Sequence, residues 1–137
     1  MSQIRESSRE LNKLFAGLAH QIQPDLPEGW THLAFGMFHS ETEDDEFLIY
    51  VTTDGGQSWQ NLQQLLFDAD ADMDGLLDAM DTAQEIREVC AAENDCWGSM
   101  NYHLCSTGEF HVSFDYVTYT HITEDIRVNW RKQELHL

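Results

Sequence analysis

The sequence predicts an α+β domain: an antiparallel four-stranded sheet with helices on one face, in the order α-β-β-α-β-β-α. Three observations carry that expectation. Apolar residues recur at helical spacing near both ends and in the middle of the chain. Two short strand-like runs follow the first helical segment, and a second pair reads as a hairpin whose register can be derived.

Ile4, Leu11, Leu14, Phe15, Leu18, Ala19 and Ile22 fall on one side of an amphipathic helix over residues 3–22, which Pro24 and Pro27 interrupt. Residues 30–39 (WTHLAFGMFH) and 46–53 (EFLIYVTT) read as strands joined by the acidic loop SETEDDE. TDGGQS is a turn, and Leu62, Leu65 and Leu66 indicate a short helix after it. A longer helix follows over residues 73–93, with Met73, Leu76, Leu77, Met80, Ala83, Ile86 and Cys90 along its apolar side. Aspartates near its start favour the helix dipole.

The stretch SMNYHLCSTGEFHVSFDY is the second strand pair. A three-residue loop, Ser106-Thr107-Gly108, with glycine in the left-handed position, sets Leu104 opposite Phe110, Tyr102 opposite Val112 and Met100 opposite Phe114. All the large apolar residues then share one face. The other face receives Cys105 with Glu109, His103 with His111, and Asn101 with Ser113. A two-residue loop would mix the faces, which rejects it. Ile122, Ile126 and Trp130 recur every four residues in a terminal helix, with Arg127, Arg131 and Lys132 placed late, where a helix favours positive charge.

The 137 residues, 42% apolar, suit a single domain over residues 1–137. Three cysteines, Cys90, Cys96 and Cys105, form no zinc or redox motif, and with no export signal they point to a reducing cytoplasm. No stretch approaches a membrane span. The formal net charge is −18, and it is segregated: residues 41–95 hold sixteen acids and one base, Arg87. The rest of the chain holds nine acids and six bases, a net −3. Such a field repels nucleic acid and anionic membranes, and it speeds encounter with a basic partner.

Six aspartates lie between Asp68 and Asp81. From Asp70, the residues Asp70, Asp72, Asp74, Gly75, Asp78 and Asp81 fall at calcium-loop spacing, which makes a calcium-responsive binding module the alternative reading. Asp81 stands where that loop needs a longer glutamate, and no second loop pairs with it. His103 and His111 face each other in the derived register and form a weaker candidate for a metal. No phosphate loop, nucleophile elbow, dinucleotide fingerprint or metalloprotease helix is present, so the chain reads as a non-enzyme without a cofactor.

In residues 97–116, Trp97, Ser99 and Met100, then Leu104-x-Ser106-Thr107-Gly108-x-Phe110, then Phe114-x-Tyr116, resemble the YezG-like antitoxins. The acidic helix before Trp97 and the terminal helix with Trp130 share that likeness, which covers about residues 70–132. The resemblance implies an immunity protein that neutralises a polymorphic toxin, often a nuclease, in competition between bacteria. A nuclease needs a basic groove for phosphates, and a chain this acidic is complementary to one. The expected binding residues are the loop acids Glu43, Asp44, Asp45 and Glu46 with the aspartates Asp68, Asp70, Asp72 and Asp74. No basic residue near them is expected to pair them.

Overall fold

The computed structural model describes the backbone of residues 2–137 and the side chains of residues 9–137. Ile4, expected on the apolar side of the first helix, lies outside the described side chains. Four α-helices are present among the described residues: α1 (Ser2–Ile22), α2 (Leu62–Asp68), α3 (Asp74–Ala92) and α4 (Glu124–Glu134). The strands are β1 (His32–Phe38), β2 (Glu46–Thr52), β3 (Gln60–Asn61), β4 (Ser99–Cys105) and β5 (Phe110–Asp115). They form one antiparallel sheet in the order β3-β2-β1-β4-β5. The expected four strands are thus corrected to five. β3 is only two residues long, too short to leave a period in the sequence, and it pairs with Tyr50 and Val51. The short helix expected at Leu62, Leu65 and Leu66 is present as α2, which the seven-element order left out.

The chain divides into two compact units. One contains α1, a single 3-10 turn (Gln23–Asp25) and α3. Leu18 and Ile22 of α1 and Leu76, Ala83, Ile86 and Cys90 of α3 are buried, as their spacing predicts, and Ala79, which that spacing did not single out, is buried with them. Leu77 is not; it is 53% exposed. Gly75 marks where α3 crosses α1, because a Cβ there would collide with the Gln21 carbonyl oxygen. Met73 gives α3 no side-chain cap, and the Leu76 N–H donates instead to Asp25 Oδ2 at 2.8 Å. Thr82 Oγ1 donates to Gln21 Oε1 at 2.7 Å, a second polar tie between the helices. At its far end α3 closes with Asn94 at φ 63 and the Asp95 N–H on the Cys90 carbonyl, which satisfies its last turn.

The other unit contains the sheet, α2 and α4. β1 is central, and three rows of apolar side chains cross it on one face. They run Val51–Leu33–Leu104–Phe110, Ile49–Phe35–Tyr102–Val112 and Phe47–Met37–Met100–Phe114. The members of these rows on β1 and β4, with Ile49 and Val51, are fully buried. Burying each such side chain contributes roughly 1.5–3 kcal/mol. The hairpin register expected from the sequence is the one observed, with Gly108 at φ 95 in the loop.

α4 packs on the opposite face. There the middle row is Leu48–Gly36–Asn101–Ser113, and the indole of Trp130 lies over its gap at Gly36. Trp130 Nε1 donates to Asn101 Oδ1 at 2.8 Å. Ala34, Phe38, Leu48, Ile122, Trp130 and Leu135 form the core beneath this helix. Thr123 caps α4 through the Ile126 N–H, with Glu124 and Asp125 in the first turn and Arg131 and Lys132 in the last. The face carrying Asn101 and His103 is therefore covered in part by α4, and is not the open polar surface that alternation alone implies.

Candidate functional site

The acidic loop between β1 and β2 is pinned from both ends. Buried Ser40 donates through Oγ to the Thr120 carbonyl at 2.8 Å and accepts from the Glu43 N–H at 3.0 Å. Thr42 Oγ1 donates to the same carbonyl at 2.7 Å. His39 Nδ1 lies 2.9 Å from Asp45 Oδ1, and His121 Nδ1 lies 2.9 Å from Glu43 Oε1. Arg127 grips Glu46 with two donors, Nε at 2.6 Å and Nη2 at 2.8 Å. Its charge is reinforced by that hydrogen bonding, which holds the guanidinium above its ordinary pKa.

These pairings correct the expectation that nothing basic meets the loop acids. His121 and Arg127 are far away in sequence, on the segment that enters α4 and on α4 itself, which is why proximity along the chain missed them; His39 is only six residues from Asp45. The four acids consequently differ. Asp45 and Glu46 are partly buried and bind the loop to its neighbours. Glu43 is 55% exposed although paired with His121, and Asp44 is exposed.

The aspartates after β3 are displayed differently. Asp68 is the last residue of α2 and accepts from Gln64 Nε2 at 2.8 Å. Asp70 follows the helix at φ 52, with its N–H on the Phe67 carbonyl and the Ala71 N–H on the Leu66 carbonyl. That is a left-handed helix stop, which suits Asp or Asn better than a bulkier residue. Both carboxylates sit at the negative end of the α2 dipole, an unfavourable place for an acid. Phe67, between Leu66 and Asp68, is 72% exposed. In the other unit, Asp72 accepts weakly from the Asp74 N–H at 3.3 Å, and Asp74, Asp78 and Asp81 repeat along the exposed side of α3.

The calcium reading does not survive this arrangement. Its bend residue, Gly75, lies in the first turn of α3, and Asp74, Asp78 and Asp81 are helical where a loop would need them to converge. Among the described residues no group of three or more His, Cys, Asp or Glu side chains is placed to hold a metal ion. His103 and His111 do face each other across β4 and β5, but His103 Nε2 lies 3.2 Å from Glu134 Oε1 of α4.

Two carboxylates that sequence reasoning passed over hold structure. Asp54 organises the TDGGQS turn by accepting from Thr52 Oγ1, Ser58 N–H and Ser58 Oγ at 2.7, 3.0 and 2.7 Å. Those hydrogen bonds, the Ser58 hydroxyl foremost, hold it well below the usual carboxylate range. Asp115, at the end of β5, accepts from the Ser99 hydroxyl, from Tyr119 OH at 3.0 Å and from the Val117 N–H at 3.1 Å. Burial, reinforced by Asp115, pushes the Tyr119 hydroxyl up to about 12. The signal for both was an Asp two residues ahead of a Gly or Val in a turn-like stretch, which is common and weak.

No helix among the described residues is long and apolar enough to cross a membrane. Comparison with curated proteins finds no match. The family model of the YezG-like immunity proteins, in contrast, matches residues 11–136, nearly the whole length over which α1, the sheet and α4 have been described. This chain belongs to the YezG-like immunity protein family.

Proposed function

We propose that this protein is a stoichiometric, non-catalytic inhibitor of a cognate toxin with a basic surface, a nuclease domain, acting in the cytoplasm of the cell it protects. The carrying observation is the division of its carboxylates. Asp45, Glu46 and Asp115 are partly buried and tied into the fold by hydrogen bonds, whereas Asp44, Asp68, Asp70, Asp72 and Asp74 are exposed, and Asp68 and Asp72 bond only to near neighbours in sequence. Two of the exposed acids stand at a helix end that electrostatics disfavours. Charge held against such a cost is better explained by a partner than by folding. Family membership supports the same reading.

The binding residues are Glu43 and Asp44 in the loop and Asp68, Asp70, Asp72 and Asp74 in the aspartate run; Asp45 and Glu46 serve mainly to hold the loop that presents the first pair. The test is co-expression with the toxin-like reading frame beside this gene. The protein should rescue growth, and the purified pair should associate more slowly as salt rises through the screening range. Loss of rescue by the unmodified protein would sink the proposal.

A further inference from the structure

β5 is one edge of the sheet, and the other edge, β3, is only two residues long. The Cys105 N–H donates to the Glu109 carbonyl, and this bonded pair sets the alternation along the hairpin. By that alternation the backbone N–H and C=O of Val112 and Phe114 point away from β4. Among the described residues no strand pairs with this edge. β5 runs for six residues, FHVSFD, without the proline or lysine that usually blocks an open edge.

A cavity of about 400 Å³ lies between α4 and the β4–β5 pair. Exposed Ser113, Asn129 and Gln133 frame its mouth, on β5 and on α4. Its lining holds two carboxylates, Asp115 and Glu134, and no basic residue. Asp115 is held in place by three donors, so the site is already formed before anything enters it.

We propose that this edge receives an extended cationic segment of the partner, which adds a strand beside β5 and inserts a lysine or arginine side chain into the cavity. The inference rests on the toxin-binding role proposed above and adds a contact distinct from the acidic residues named there. Backbone pairing supplies affinity, and alternate side chains of the added strand fall on the α4 side, next to Ser113. A second copy of the chain is disfavoured as occupant, because each copy carries a net charge of −18.

The probe is an eight-residue peptide alternating arginine and valine with blocked ends, beside a control with glutamate for arginine. Amide exchange by NMR should slow at least tenfold at Val112 and Phe114 with the arginine peptide and stay unchanged with the control. Val112→Pro removes an outward donor, and Ser113→Lys puts a cation at the mouth; each should weaken peptide binding at least tenfold. Should Val112→Pro fail to fold, Ser113→Lys, on an exposed position, decides alone. The idea is overturned if the peptide does not bind, if Ser113→Lys binds it as well as the unmodified chain, or if only residues 41–46 or 68–74 respond. It is also overturned if the protein alone dimerises through the same amides. These outcomes are separate from the rescue assay: a chain that rescues growth but fails here loses only the edge contact.

Discussion

At Gly36 a single methyl group would decide how α4 seats. A Cβ there would lie 2.7 Å from three atoms of the Trp130 indole. Gly36→Ala should therefore lower stability by about 2–3 kcal/mol in urea unfolding, as overpacking does. Gly36→Ala combined with Trp130→Leu should cost less than the two single changes added together, since the smaller side chain relieves the collision. Tyr119 offers a second check at this scale. Its hydroxyl is raised from 10.0 to about 12, so the protonated form is favoured in the folded chain. The associated stability is fully present below pH 10 and is lost as pH rises toward 12. Tyr119→Phe should flatten that alkaline decline in thermal melts. Burial raises Tyr102 as well, so some decline should persist.

Among the elements, the β4–β5 hairpin was the most legible in the sequence. Its large side chains occupy alternate positions, and only one loop length puts them on one face. Gly108→Ala, at φ 95, should destabilise the protein by about 1 kcal/mol without shifting that register, which the cross-strand proton contacts would report. α1, α3 and α4 were legible for the same reason, a period long enough to count. β3 was not, because two residues carry no period. The candidate site was legible only as composition. The exposed aspartates were found because acids cluster there, but Arg127 meets Glu46 across 81 residues of chain, a distance no local pattern spans. That pair joins β2 to α4 with two donors, and a double-mutant cycle of Glu46→Gln with Arg127→Gln should give a coupling of about 1 kcal/mol. A coupling near zero would mean the loop is held by Ser40, Thr42 and the histidines without it.

For the whole molecule the governing quantity is charge. Asp68→Asn with Asp70→Asn removes two acids from the negative end of α2, and asparagine keeps the left-handed stop at position 70. The variant should be more stable by several tenths of a kcal/mol in urea, yet bind the toxin more weakly by on the order of 1–3 kcal/mol, mostly through slower association. Glu43→Gln with Asp44→Asn should do the same to binding. Unchanged rates in both variants would place the contact elsewhere. The cap of α3 has a further consequence, for inheritance. Because Asp25 closes the start of that helix, the acids at positions 68 and 70 are not needed to begin it. Substitutions at Asp68, and to asparagine at Asp70, change what the surface offers while the scaffold goes on folding. If those acids meet the toxin as proposed, a lineage can follow a toxin that is itself changing, one residue at a time, with each intermediate still able to fold and to be selected.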